Sequence, residues 1–478
     1  MRTFYHNLVL CWIAIATSLY GGEITVKFSP ASLEESHLRK VQKWLSEAES
    51  SIDLALYSWR ANPADIIPEV ESALARGVKV RAVLEGASKD LRREDGGLSK
   101  RLEDAGATVR YTTKIMHHKF ALIDADSENA KLISGSANWT SSAAARYDEN
   151  TLFVRGADPL VDSFISEFAT LWNFGKDFEF LPEEDSNPQF ESFSDELTVS
   201  PASTEDGSVR GAYFTSDNFK MSRTSRGPRL SLRRNSSAVR DELISLISSA
   251  RSSIQIASGH LRSGEITAAL IAAKNANPSL DIKVYLDAAE YISKHFAKEQ
   301  DKKLERCETE ATTPRKRAAC DDKGYLFSYN LYREGIEVRF KSYAYRWHYS
   351  YAEQMHHKYM VIDNQTLATG SYNYSHNAEF SSLENLIVLS GEDTRSVIED
   401  YTKNFESIWK RGRGNLESLQ NEVKNAESIP LVFDSISLDW SEVTELKKLI
   451  RSNCSRINST EMKRNPARYR YCRREAVP

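Results

Sequence analysis

Apolar positions along residues 37–58 change their period partway. HLRKVQKWLSEAES, residues 37–50, spaces them three and four apart, the stripe of an amphipathic helix; SIDLALYS, residues 51–58, alternates as a strand does. Another helix pattern follows in IIPEVESALA, 66–75, and another strand pattern in VKVRAVLE, 78–85. The succession then returns downstream. VRDELISLISSARS is the helix, SIQIASGH the strand, ITAALIAAKNA the next helix and IKVYLDAA the next strand. AESSIDLALYS at 48–58 answers ARSSIQIASGH at 250–260, an offset of 202 residues. Each half also opens on a strand pattern, ITVKFSP in the first and GAYFTSD in the second. The pattern predicts an α/β chain, duplicated, with a largely parallel or mixed sheet in each copy.

The offset grows along the repeat, and its growth locates insertions. GATVR at 106–110 answers GIEVR at 335–339, an offset of 229, and His117 answers His356 at 239. About 27 extra residues therefore fall between Asp287 and Gly335, and about 10 more within FKSYAYRWHYSYAEQ. The expected plan is a first lobe at 23–179 and a Ser-, Pro- and acid-rich linker at 180–208. A second lobe at 209–414 follows, carrying an insertion at about 288–325. An extension at 415–478 reads as partly helical.

A chain of 478 residues suits two domains, and a net charge of −4 gives no global basic field that would advertise nucleic acid. The N-terminus, with Arg2, the apolar run LVLCWIAIAT and the small residues of SLYGG, is expected to be a signal peptide over residues 1–22. Its apolar run is about half the roughly 20 residues that a membrane span needs. Beyond it four cysteines fall as two close pairs, so Cys307–Cys320 and Cys454–Cys472 are the expected bridges, and no zinc-like spacing accompanies them. Both features point to a secreted or periplasmic protein.

The chemistry lies in one phrase written twice. MHHKFALIDADSENAKLISGSANWT occupies 116–140 and MHHKYMVIDNQTLATGSYNYS occupies 355–375. In a strand, His117 and Lys119 share a face, as do His356 and Lys358. Ser136 and Asn138, and Ser371 and Asn373, follow a glycine turn; Glu149 and Glu384 each come 13 residues after the serine. Asp124 and Asp363 fall at odd spacing from the lysines and read as structural supports. His118 and His357 fall on the opposite face and read as packing residues. An imidazole, an ammonium, an amide and a hydroxyl on one face suit a tetrahedral oxyanion. Two such sets facing each other supply one histidine to attack phosphorus and one to protonate the leaving oxygen, while a carboxylate fixes a histidine tautomer.

HHKFALID…GSANWT and HHKYMVID…GSYNYS resemble the HxKx4D…GSxN motifs of the phospholipase D superfamily, over roughly residues 23–415. The resemblance implies duplicated α/β/α sandwich lobes with mixed sheets related by a pseudo-twofold axis. It also implies a covalent phosphohistidine, no metal and no other cofactor. His117 and His356 become nucleophile and acid, with Lys119, Lys358, Asn138 and Asn373 on the phosphate. Ser136, Ser371, Glu149, Glu384, Asp124 and Asp363 become their supports. His356 is expected as the acid and His117 as the nucleophile, because a bulky aromatic lip precedes His356. That lip, SYAYRWHYSY, offers Tyr345, Arg346 and Trp347 as substrate-approach residues. Since one chain supplies both motifs, a monomer suffices.

The substrate is a phosphodiester, expected to be a phospholipid cleaved in phospholipase D fashion. The alternatives are a secreted nuclease, or a phosphate-binding effector without turnover. Residues 220–240 hold seven basic residues and no acidic one, a run suited to an anionic surface.

Overall fold

The computed structural model describes residues 22–59, 66–156, 158–179, 202–203, 208–224, 227–313, 316, 320, 327–344, 352–425 and 432–453. The signal-like segment, most of the linker, Tyr345, Arg346, Trp347, Cys454 and Cys472 lie outside them. In the first half the strands are β1 (Glu23–Ser29), β2 (Ser51–Leu56), β3 (Lys79–Leu84), β4 (Thr108–Tyr111) and β5 (Ile115–Met116). Then come β6 (Lys119–Ile123), β7 (Lys131–Gly135), β8 (Glu149–Arg155) and β9 (Lys176–Asp177). The second half begins with β10 (Ala202–Ser203), β11 (Val209–Phe214), β12 (Phe219–Thr224), β13 (Gly227–Leu232), β14 (Ser253–Ser258) and β15 (Asp281–Asp287). It continues with β16 (Glu337–Ala344), β17 (Lys358–Ile362), β18 (Thr366–Gly370), β19 (Ser382–Leu383), β20 (Asn385–Ser390) and β21 (Val432–Asp439).

Two large sheets result. One has eight strands in the order β1-β8-β7-β6-β2-β3-β4-β9, the other nine in the order β10-β11-β20-β18-β17-β14-β15-β16-β21. Strands β2, β3 and β4 are parallel, as are β14, β15 and β16, and the other ladders of both sheets are antiparallel. The mixed, duplicated α/β architecture is thus present, one sheet per lobe.

Helices cover both faces of each sheet, so the central strands are apolar almost throughout rather than strictly alternating. KFALI in β6 and KYMVI in β17 are buried at every position. On one face of the first sheet, helix His37–Ser46 buries His37, Leu38, Val41, Trp44 and Leu45, the spacing of a helical stripe. Its counterpart Ala238–Ser249 buries Val239, Leu243 and Ile247 against the second sheet. A third core joins the lobes. Phe120, Leu152 and Phe164 of one half share it with Tyr359, Leu367 and Tyr401 of the other. Truncating a residue such as Phe120 there to alanine would cost about 3–5 kcal/mol.

Two features were not in the sequence pattern. The extension beyond 415 is not only helical, because β21 joins the second sheet beside β16. The basic run forms a ribbon of β12 and β13 outside the large sheets. Lys220, Arg229, Arg233 and Arg234 are exposed on or after that ribbon, while Phe219 and Leu230 pack toward the interlobe core. The insertion carries helix Lys294–Glu310, and Cys307 is bridged to Cys320 with a Cα–Cα distance of 5.6 Å. Among the described residues no helix is long and apolar enough to cross a membrane.

Candidate active site

The two motif segments enter β6 and β17, which lie mid-sheet and pair with β2 and β14. Each entry is held by a carboxylate at the end of a neighbouring strand. Glu85 accepts from the Met116 backbone N–H at 2.8 Å, and Asp287 from that of Met355 at 2.9 Å. The chain just before each histidine then pairs with the opposite lobe. β5 lies parallel to β19, Met116 opposite Leu383, and the His117 N–H donates to the Leu383 carbonyl at 3.0 Å. In the other half Met355 pairs with Asp148, and the His356 N–H donates to the Asp148 carbonyl at 3.0 Å.

Leu383 and Asp148 immediately precede Glu384 and Glu149, so this pairing crosses the carboxylates over. His117 Nδ1 is 2.8 Å from Glu384 Oε2, and His356 Nδ1 is 2.7 Å from Glu149 Oε1. Each glutamate serves the histidine of the other lobe while keeping the serine of its own. Ser136 Oγ donates to Glu149 and Ser371 Oγ to Glu384, both at 2.7 Å. The serine oxygens accept in turn from the Asn150 and Asn385 N–H groups at 2.9 and 3.0 Å. The glycine before each serine is required by close approach. A Cβ on Gly135 or Gly370 would lie 2.3 or 2.4 Å from the Asn150 or Asn385 carbonyl oxygen.

Both lysines are buried and reach back to their own histidines. Lys119 Nζ donates to the His117 carbonyl at 2.6 Å, and Lys358 Nζ to that of His356 at 2.8 Å. Burial pulls Lys119 down to about 7 and Lys358 down to about 8, partly opposed by the two carboxylates. Burial raises Glu149 and Glu384 to about 8. Burial and then the lysine charges press both imidazoles well below their ordinary range. Each histidine–glutamate couple therefore titrates as a unit, with burial disfavouring charge on both of its members. The crossed carboxylates, each also held by the serine of its own half, tie the two couples into one cluster.

Asn138 and Asn373 stand at the turn after each serine, half-buried, with side-chain oxygens that have no hydrogen-bond partner among the described residues. Asp124 and Asp363 are not in the cluster. Each has a positive φ, 51° and 53°, at the far end of its strand. Asp124 accepts from the Glu49, Ser50 and Ser51 N–H groups, and Asp363 from those of Arg251, Ser252 and Ser253, all at 2.7–3.1 Å to the nearer oxygen. Burial works against their ionisation, but these bonds outweigh it and hold both carboxyls below their usual range.

His118 and His357 point away from the cluster and fasten the lobes together. His118 contacts Glu167 at 3.0 Å and the Asn385 amide of the other lobe at 2.9 Å; His357 contacts the Asn150 amide at 3.1 Å. Sequence reasoning missed Tyr57, whose ring lies 4.5 Å from the His117 ring and 5.1 Å from Lys119 Nζ. It also missed His37, which reaches the Asn138 carbonyl at 3.3 Å and is pushed down to about 4 by burial. Glu85 and Asp287 were findable, since both end a repeated strand at the 202-residue offset. Among the described residues no three His, Cys, Asp or Glu side chains gather as metal ligands.

Two lobes with one buried His–Lys–Glu set each define a duplicated phosphodiester-type site. A family model described as "Cardiolipin synthase, PLD-like domain" matches residues 41–172 and 243–409, one stretch in each half and more than half of the chain. The chain belongs to the phospholipase D superfamily, with two copies of the PLD-like domain. It is similar to the mitochondrial cardiolipin hydrolase of Mus musculus, at 33% identity over 147 residues, 30% of this chain and 62% of that protein. The Homo sapiens mitochondrial cardiolipin hydrolase is 34% identical over 140 residues, 29% of this chain and 52% of that protein. The matches thus span about half to three-fifths of these relatives. Among solved structures, the phosphatidylserine synthase of Haemophilus influenzae Rd KW20 aligns over 93% of this chain and 95% of its own, with a TM-score of 0.52 and 12% identity, a likeness of fold.

Proposed function

We propose that the chain is a phosphodiesterase that hydrolyses phospholipids at the head-group phosphodiester through a covalent phosphohistidine, without a metal. The observation that carries this is the crossed pair of His117–Glu384 and His356–Glu149 couples, each with a buried lysine on its histidine. One imidazole nitrogen attacks phosphorus and forms the N–P bond as the P–O bond to the leaving alcohol breaks. The other couple gives its proton to the departing oxygen, then takes one from water as that water attacks phosphorus and breaks the N–P bond. In this reading Lys119, Lys358, Asn138 and Asn373 donate to the non-bridging oxygens. His117 is the nucleophile and His356 the acid in this reading. The phospholipid class is supported by the relatives named as cardiolipin hydrolases. The exposed cations of the β12–β13 ribbon suit contact with an anionic lipid surface. Export of a monomer, guided by residues 1–22, completes the reading.

Purified protein should turn over bis(p-nitrophenyl) phosphate in EDTA and lose that activity on His117→Asn or His356→Asn. Side-by-side assays on cardiolipin, phosphatidylcholine, single-stranded DNA and duplex DNA decide the substrate. Cleavage confined to DNA would replace the lipid reading with the nuclease one, and no turnover of any phosphodiester would make the chain a binding protein.

A further inference from the structure

The walls beside the two histidines differ in polarity. The Tyr57 ring stands against His117, and the repeat aligns Tyr57 with Gly259. A Cβ on Gly259 would lie 2.8 Å from the Met355 carbonyl oxygen and 3.6 Å from the His356 Cα, so no side chain fits there unless the backbone moves. Ile115, two residues before His117, aligns in the same way with Gln354. The first histidine thus has an aromatic ring and a branched aliphatic chain beside it, where the second has a bare glycine and an amide.

Both apolar residues are fixed in place, yet both are open to solvent. The Tyr57 N–H donates to the His118 carbonyl at 2.9 Å, and the ring is held against His117 and Lys119 Nζ. Ile115 pairs with Ser382 of the other lobe in the β5–β19 ladder. Side chains alternate along this extended segment. With Met116 in the interlobe core, Ile115 falls on the same side as His117. Tyr57 is nevertheless 39% exposed and Ile115 44% exposed, two of only six large apolar side chains so exposed among the described residues. Isolated apolar residues are ordinary on a protein surface. Two beside one histidine of a phosphate-type site, with neither kept in the other half, mark a place for an apolar group next to the reacting phosphorus.

We infer that Tyr57 and Ile115 form an apolar ledge for the acylglycerol part of a phospholipid, the part still bonded to phosphorus after the head group leaves. The inference rests on the phospholipid reading above and adds the orientation of the substrate within the site. The retained group lies along the His117 side, where the N–P bond forms. The head-group oxygen departs toward His356, where the aligned positions offer no apolar side chain.

The test varies only the acyl length. Dibutyroyl and dihexanoyl phosphatidylglycerol, each below its critical micelle concentration, present the same head group to the purified chain. The longer substrate should have the higher kcat/KM by about tenfold or more, as when added methylenes enter an apolar contact. Ile115→Ser and Tyr57→Ser should each flatten that ratio about three- to tenfold, and Ile115→Leu should keep it. Gln354→Ser, the aligned change beside His356, should leave the ratio as in wild type. A wild-type ratio near one, or a ratio that neither ledge variant alters, overturns the ledge and leaves the phosphodiesterase standing. Equal flattening by Gln354→Ser also overturns it, since the chains would then not be confined to the His117 side. A loss on Tyr57→Ser seen only with the dinucleotide TpT, whose bases would stack on the ring, discards the ledge and the lipid reading together. Calorimetry separates the ledge from catalysis. Dihexanoyl phosphatidic acid should bind more tightly than dibutyroyl phosphatidic acid, and Ile115→Ser should narrow the difference. That result in protein that turns over no phosphodiester would keep the ledge and discard the enzyme. Equal binding of the two acids, with or without turnover, overturns the ledge.

Discussion

The first and second halves of the site share a frame and differ in what surrounds it. In both, an aspartate grips the start of the adjacent strand, an acidic residue holds the methionine before the motif, and a serine steadies the glutamate lent to the other lobe. The surroundings diverge at once. His117 hangs from the carbonyl of Leu383 and faces Tyr57; His356 hangs from that of Asp148 and faces Gly259. Asp148 is wholly buried between Lys341 Nζ at 3.0 Å and Arg411 Nη1 at 2.7 Å. In-line displacement needs the two histidines in different protonation states at the same moment. The repeat supplies the shared geometry, and the unmatched neighbours supply the difference.

The largest effect should come from breaking either half outright. His117→Asn and His356→Asn should each lower kcat on bis(p-nitrophenyl) phosphate by at least about 10³-fold, the loss of a nucleophile or of its partner acid. The halves then separate by trapping. His356→Ala protein given a substrate with an activated leaving group should become phosphorylated at His117. Peptide mapping that finds the label at His356 of His117→Ala protein instead reverses the roles.

Stability should divide the halves next. Asp148→Asn leaves the buried Lys341 and the half-buried Arg411 with a neutral partner and should cost about 3 kcal/mol in urea unfolding, whereas the Leu383 side has no such charge to lose. Asp124→Ala and Asp363→Ala, by contrast, remove equivalent sets of backbone hydrogen bonds and should cost about 1–3 kcal/mol each. A large disparity between those two would show that the shared frame is less symmetric than its geometry.

The repeat made much of this legible. Two matched HHK and GSxN phrases announced both half-sites, and the drifting offset placed the disulfide-bearing insertion. The odd spacing of Asp124 and Asp363 put them away from the cluster. What could not be read was the crossing. The constant 13-residue interval from serine to glutamate ties each carboxylate to its own half, and only the pairing of β5 with β19 and of Met355 with Asp148 delivers it to the other. Strand β21 was hidden for the same reason, because its partner β16 lies about a hundred residues earlier. The residues that distinguish the halves, Tyr57 against Gly259 and Leu383 against Asp148, sit at aligned positions and looked like ordinary drift.

The crossing itself predicts a pattern of coupling. Glu384→Gln should lower kcat about 10–100-fold through His117, and Glu149→Gln similarly through His356, the range seen when an orienting carboxylate is lost. In double-variant cycles scored by kcat, Glu384 should couple to His117 and Glu149 to His356. Coupling within a half rather than between halves would contradict the geometry.

The smallest effect is the most general, a pH dependence of anion binding that both halves share. Burial pulls Lys119 down to about 7 and Lys358 down to about 8, and raises Glu149 and Glu384 to about 8. The sign is the same for all four. As pH rises through this window the lysines lose positive charge and the carboxyls gain negative charge, so the cluster becomes steadily less hospitable to a phosphate. Inorganic phosphate is a poor probe here because it titrates in the same range; dimethyl phosphate keeps one charge throughout. Its dissociation constant should be lowest below about pH 7 and rise several-fold to tenfold by about pH 9. Binding near pH 8 should also draw protons from solution, since an anion between the lysines favours their charged forms. Calorimetry in buffers of different ionisation enthalpy measures that uptake. Lys119→Met and Lys358→Met should each remove part of the pH dependence, one lysine from each half.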